Sequence, residues 1–192
     1  MKVKINSFVK PLIDVLEREK IQYAIIGGLA VMIYGEPRFT KDVDINIILE
    51  KGKIKDFIKK LQAKGFSPSL YNAVQIAETS GYLQVSYNTG KNLTSFDIII
   101  AENPIEFSAI ERAKIKKIDG MNIKMITPED LIIQKITSER EKDKNDLIGI
   151  IARQEGKMDL DYIRNWLTKI DKVLKNTSLT QEFNKVLKNI SS

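Results

Sequence analysis

The sequence predicts an α+β fold, a sheet-bearing core followed by a helical C-terminal lobe, and three observations carry that expectation. Short apolar runs rich in Ile and Val alternate with amphipathic helical periods as far as Ile126. Beyond Pro128 the strand pattern disappears and only helical periods remain. The 43% apolar fraction of 192 residues suffices for a packed core rather than a disordered chain.

Taken in order, residues 7–19 space Phe8, Leu12, Val15 and Leu16 on a helical period, with Ser7 as N-cap. Gln22 to Ile26 reads as a short strand stopped by Gly27-Gly28, and Leu29 to Tyr34 as a short helix closed by Gly35 and Pro37. Val43 to Leu49 is the next strand. Residues 53–64 form a Lys-rich helix whose core face is Ile54, Phe57, Ile58 and Leu61, with Gly65 as its stop. Residues 70–78, 82–88 and 95–101 are expected as strands separated by Ser-Gly and Asn-Thr-Gly turns. A helix over 105–113 and a strand pair, 115–118 and 122–125, about Asp119-Gly120 complete the core. Helices at 128–140, 143–153, 159–171 and 179–189 fill the tail, so the boundary is set near Ile126: residues 1–126 as core, 127–192 as helical lobe. The chain contains no repeats, low-complexity tracts or long linkers.

Composition removes several chemistries. Cysteine is absent, which excludes disulfides, thiolate nucleophiles and Cys-ligated zinc. Histidine is absent as well, so acid–base work falls to carboxylates, Lys or Tyr, and a Ser-His-Asp arrangement is excluded. Any metal site is built from oxygen, which favours Mg²⁺, Mn²⁺ or Ca²⁺. A net charge of +6 suits a polyanionic partner such as a nucleotide or RNA. The same Lys- and Ile-rich, Cys-free mix also fits a thermophilic surface laced with ion pairs. No apolar run reaches the roughly 20 residues of a membrane span, and the charged start MKVKINSFVKPLIDVLEREK lacks a signal-peptide core, so no membrane partner and a cytoplasmic location are expected.

The segment Thr40-Lys41-Asp42-Val43-Asp44-Ile45-Asn46 opens an apolar strand with two aspartates one residue apart. Alternation along a strand puts Asp42, Asp44 and Asn46 on one face and Val43, Ile45 and Ile47 on the other. Solvent, a basic side chain or a bound cation must offset the two like charges. Upstream, Ile25-Ile26-Gly27-Gly28-Leu29-Ala30 runs strand into glycines into helix, where backbone N–H groups can approach a phosphate. Neither G-x-G-x-x-G nor G-x-x-x-x-G-K-[ST] is present, which argues against dinucleotide-binding and P-loop sites. Asp97 interrupts the apolar run Phe96 to Ile100 and needs either a Lys or Arg partner or a place in a cation-binding cluster with Asp42 and Asp44.

Gly27-Gly28, Asp42-x-Asp44 and the later strand residue Asp97 together resemble the nucleotidyltransferase superfamily, the fold of DNA polymerase β. In the tail, Thr127-Pro128-Glu129-Asp130-Leu131-Ile132 through Lys135, then Arg140-Glu141-Lys142-Asp143-Lys144-Asn145-Asp146, is similar to a segment of the AbiEii group of toxin-like enzymes. Phe107 to Ala113 also fits, and the likeness covers roughly residues 21–150. The resemblance implies a mixed sheet flanked by helices and an enzyme that moves a nucleoside monophosphate from an NTP to an acceptor hydroxyl. It implies that Asp42 and Asp44 hold Mg²⁺ (or Mn²⁺) carrying the NTP, and that Asp97 shares a second ion and helps activate the acceptor. Gly27 and Gly28 would cradle phosphates, Lys135 would contact the triphosphate with Asp146 orienting it, and Arg38 and Thr40 would touch phosphate. Partners implied are an RNA or tRNA acceptor, or a protein, and an antitoxin protein. Open alternatives are a small-molecule transferase of the antibiotic-resistance kind and a non-catalytic nucleotide-binding or antitoxin-binding module.

The tail residues also have plainer readings. Asp143 suits an N-cap of a helix that restarts after Lys142, with Asp146 as that helix's third residue. Lys135 suits a solvated lysine on a polar stripe with Glu139 four positions on.

Overall fold

The computed structural model describes residues 6–38, 40, 42–88, 90, 93–138, 140–175 and 178–190, with the side chains of residues 6 and 7 excepted. It resolves into two compact units: Met1–Leu29 with Phe39–Ile126, and Ala30–Arg38 with Thr127–Ser192.

The first unit carries the whole sheet. Its elements are α1 (Asn6–Arg18), β1 (Tyr23–Ile25), the start of α2 (Gly27–Tyr34), β2 (Asp42–Ile47), α3 (Ile54–Ala63), β3 (Phe66–Pro68), α4 (Ala73–Ser80), β4 (Tyr82–Asn88), β5 (Leu93–Ile100), α5 (Pro104–Glu111), β6 (Lys114–Ile118) and β7 (Met121–Met125). Among the described residues the sheet has seven strands in the order β3-β4-β5-β2-β1-β7-β6. It is mixed, with β2 parallel to β5 and β1 parallel to β7 among otherwise antiparallel pairs. One face is built from Val43, Ile45, Ile47, Leu83, Val85, Phe96 and Ile98, all buried and all at alternate strand positions. Phe66 packs edge-on against Phe96 there, with ring centroids 5.7 Å apart. The opposite face carries Asp42, Asp44, Ser95, Asp97, Tyr82 and Gln84, which are half-buried apart from the exposed Asp42.

The strand expected over 70–78 is a helix, α4, over Ala73–Ser80. Its buried positions, Ala73 and Ala77, are four apart, so two small residues of low β propensity set a helical period. Gly81 ends it in the left-handed conformation at φ 66°, donating its N–H to the Ala77 carbonyl. Strand β3 lies earlier, at Phe66–Pro68, where the sequence shows only the end of a helix. Ser7 lies inside α1, which begins at Asn6, and its side chain is outside the described residues. Thr89 of the expected Asn-Thr-Gly turn is likewise outside them.

The second unit holds the rest of α2, α6 (Pro128–Ile136), α7 (Glu141–Arg153), α8 (Leu160–Leu174) and α9 (Leu179–Ile190). Thr127 caps α6, its hydroxyl accepting the Asp130 N–H at 3.2 Å, with Pro128 in the first turn. Tyr162 then donates its hydroxyl to Asp130 at 2.5 Å, and Glu129 accepts the Asp159 N–H at 3.1 Å, tying α6 to the start of α8. Helix α6 stops at Ile136, four residues before the expected end. The Thr137 hydroxyl competes for the Ile133 and Gln134 carbonyls at 3.1 and 3.0 Å, which favours termination there. No helix among the described residues is long and apolar enough to cross a membrane.

Candidate active site

The parallel pairing of β2 and β5 sets Asp44 directly beside Asp97, and Asp42 beside Ser95. The antiparallel pairing of β4 and β5 sets Gln84 on the other side of Asp97. Gln84, Asp97 and Asp44 therefore form one row across three neighbouring strands, spaced at about 4.8 Å per strand, with Asp42 one pleat away on the same face. Asp97 takes no arginine or lysine partner among the described residues. Tyr82 donates its hydroxyl to Asp97 Oδ1 at 2.7 Å, and Gln84 donates Nε2 to the same oxygen at 2.9 Å. Burial pushes the Tyr82 phenol up to about 12, with the bond to Asp97 and the charges of Asp97, Asp44 and Asp42 adding to the shift. All three aspartates thus act on a single phenol.

Gly27 and Gly28 sit at the start of α2 rather than before it, and each fills a space that no side chain could share. A Cβ on Gly27 would lie 1.9 Å from Asp44 Oδ2, and the residue's φ of 58° is itself unfavourable for an L side chain. A Cβ on Gly28 would lie 2.5 Å from Thr40 Oγ1. Gly28 instead donates its N–H to Asp44 Oδ2 at 3.2 Å, and Thr40 donates its hydroxyl to the Asp42 carbonyl at 3.0 Å. The glycine turn and the aspartate strand are thereby joined directly. Gly27→Ala is expected to cost about 1–3 kcal/mol and to displace the Asp44 carboxylate. Urea unfolding of the variant checks the first, and a crystal structure of the variant the second.

Among the described residues, no three carboxylates stand close enough together to hold one metal ion. The donors present nonetheless suit a hard divalent cation: they are all oxygen, and two stand in register on adjacent strands. Asp97 Oδ2 accepts no hydrogen bond among the described residues, both of the carboxylate's bonds falling on Oδ1. Asn46 is 1% exposed on the same face, and its Oδ1 has no partner among the described residues.

Lys135, Asp146 and Arg38 meet in the second unit. Arg38 reaches Asp146 through two parallel bonds, Nε to Oδ1 and a terminal nitrogen to Oδ2, both 2.8 Å. Lys135 Nζ stands 3.1 Å from Asp146 Oδ2 and also donates to Asp143. Lys135 is 6% exposed, so the solvated polar stripe is not its environment; Glu139, its expected stripe partner, is outside the described residues. Asp143 is no N-cap either. Arg140 holds that position, and Asp143 receives Lys135, Ser138 Oγ at 2.7 Å and Arg140 Nε at 2.6 Å. Three donors outcompete the single backbone bond a cap would make. Burial raises the Asp143 carboxyl, but the bonds from Lys135, Ser138 and Arg140 outweigh it and hold the group at about 2. Asp146 is likewise held below its ordinary value, with Arg38 and Lys135 overcoming burial.

The sequence reading did not include Tyr82 or Gln84. The signal that points to them is strand register, since Gln84 and Asp97 become neighbours once β4 and β5 form a hairpin.

A mixed sheet flanked by helices, with paired aspartates at the head of a central strand beside a glycine turn, is a nucleotidyltransferase-type fold. The chain belongs to the family described as "Nucleotidyltransferase of unknown function (DUF6036)", which matches residues 4–191. Three solved structures share the fold. An antigenic nucleotidyltransferase-like protein from Paracoccidioides brasiliensis is 20% identical, with a TM-score of 0.52 over 94% of this chain and 90% of its own. The lincosamide antibiotic adenylyltransferase LnuA, lincomycin-bound, is 15% identical with a TM-score of 0.52 over 78% and 98%. The antibiotic-resistance factor ANT(2'')-Ia in solution is 12% identical with a TM-score of 0.54 over 87% and 92%. No curated protein sequence matches the chain.

Proposed function

We propose that this chain is a metal-dependent nucleotidyltransferase that moves an NMP from an NTP to an acceptor hydroxyl and releases pyrophosphate. The observation that carries the reading is the register of Asp44 beside Asp97, with Asp42 one pleat away and a glycine turn bonded to Asp44. Like charges on Asp44 and Asp97 repel across the paired strands, and a cation held between them turns that repulsion into binding. Asp42, Asp44 and Asp97 are assigned as the residues that hold Mg²⁺ or Mn²⁺. When bound, the ion supplies charge neutralisation at the phosphates and lowers the pKa of the acceptor hydroxyl.

The chain's own groups do the rest. Gly27 and Gly28, at the start of α2, are assigned to cradle the triphosphate, and Thr40, close against Gly28, is a further candidate phosphate contact. Asp97, beside the ion, helps to activate the acceptor hydroxyl, whose proton leaves to solvent water. The hydroxyl oxygen bonds to the α-phosphorus as the bond to the bridging oxygen of pyrophosphate breaks. In the second unit, Lys135 is proposed as a phosphate-binding cation on its own geometry: its ammonium has three N–H donors, and Asp143 and Asp146 take two. Asp146 orients it, and Arg38, paired to the same carboxylate, is a second candidate phosphate contact. The core is assigned to residues 1–126 and the helical lobe to 127–192, following the change in sequence pattern.

The finer reading is an AbiEii-like toxin that acts in the cytoplasm on RNA, tRNA or protein and is countered by an antitoxin protein. The tail segment from Pro128 to Asp146 and the net charge of +6 support it. A second reading, adenylyl transfer to a small-molecule hydroxyl, is favoured by the fold shared with LnuA and ANT(2'')-Ia. Incubation with Mg²⁺, each labelled NTP and either total tRNA or hydroxyl-bearing antibiotics separates these. Label on RNA or on protein supports the first, and label on the antibiotic the second. Label nowhere, with Mn²⁺ and NTP binding also absent, removes the enzyme reading altogether.

A further inference from the structure

We propose that Tyr82 and Gln84 are positioning residues that pin the Asp97 carboxylate so that it offers a single oxygen, Oδ2, to a divalent cation. This rests on the metal-dependent reading above. Both donors stand on β4, and both act on Oδ1, at 2.7 and 2.9 Å. Gln84 lies directly across from Asp97, while Tyr82 reaches it from one pleat along the same face. Two donors from different directions fix the carboxylate's rotation as well as its position. Donors borne on a paired strand hold that orientation more tightly than donors on a loop would.

Left alone, Asp97 would turn away from Asp44, its neighbour in register, because like charges on adjacent strands repel. The plain alternative is that the two bonds merely satisfy a half-buried carboxylate. Against it stands the choice of donors. A lysine or arginine at position 82 or 84 would neutralise Asp97 as well as bond to it; a phenol and an amide orient the group and leave its full charge for a ligand.

The test is Mn²⁺ titration of the full chain followed by electron paramagnetic resonance, with Tyr82→Phe as the variant. Tyr82→Phe is expected to weaken Mn²⁺ binding about tenfold or more, while the metal-free melting temperature stays near that of the wild type. In an Asp97→Asn background, Tyr82→Phe is expected to change Mn²⁺ affinity less than about twofold, because the group it positions is gone. Equal Mn²⁺ binding by wild type and Tyr82→Phe overturns the inference and leaves the transferase reading standing. An equal loss in both backgrounds also overturns it, since the phenol then acts without Asp97. Wild-type protein that binds no Mn²⁺ sinks the metal-dependent reading and this inference with it.

Discussion

Asp44→Asn is expected to lower NMP transfer by at least about 10²–10³-fold, the range seen when one group that stabilises developing charge is removed. It should do so without unfolding the protein. Asparagine keeps an oxygen to accept the Gly28 N–H, so the link between glycine turn and aspartate strand survives. It also removes one of two negative charges set side by side on β2 and β5, a juxtaposition that costs about 0.2–1 kcal/mol. Metal-free Asp44→Asn is therefore expected to unfold at the same urea concentration as wild type or slightly higher. The pairing of lost activity with retained stability is the informative result. If activity and stability fall together, Asp44 is a structural residue and its neighbour Asp97 needs another explanation. If transfer persists at the wild-type rate with every NTP, the aspartates are not the metal ligands.

What the sequence showed of this face follows from local geometry. Alternation along a strand needs no tertiary knowledge, so Asp42 and Asp44 could be set opposite Val43 and Ile45 from the residues alone. Asp97 beside Asp44 required a choice of strand partner, which the residues alone left open between a basic partner and a place beside Asp42 and Asp44. Residues 70–78 misled because an alternating apolar pattern over a few residues fits a strand as readily as a helix. The surroundings of Lys135 were beyond local reading. Arg38 and Asp146 are 108 residues apart, and no periodicity within either segment announces the pair. The solvated lysine of the plainer reading rested on a polar stripe shared with Glu139, whereas Lys135 is buried, donates to Asp143 and pairs with Asp146.

That same pair carries the largest expected stability effect. Asp146→Ala removes the two carboxylate oxygens that accept from Arg38 and one partner of Lys135, which is 6% exposed. Deleting one member of a buried ion network strands charge where water reaches it poorly, at about 3–5 kcal/mol. Arg38 keeps 23% of its side chain exposed, and Lys135 keeps Asp143, so the lower end of about 3 kcal/mol is expected. Arg38→Ala with Asp146→Ala should cost less than the sum of the two single changes, because each removes the same Arg38–Asp146 contact. Trp166, the single tryptophan, stands on α8 of the same unit and reports its unfolding by fluorescence. Acid adds a second reading of the network. Asp143 is held at about 2 against an ordinary 3.8, so its contribution, about 2 kcal/mol by linkage, is complete above pH 4 and disappears as pH falls towards 2. Asp146 shifts in the same direction and adds to the loss over that acid range. Wild-type protein should therefore lose stability steeply below pH 4, and Asp146→Ala, starting lower, should lose it less steeply. Parallel slopes for the two proteins would show that the Asp146 carboxylate is not what the folded helical unit holds ionised.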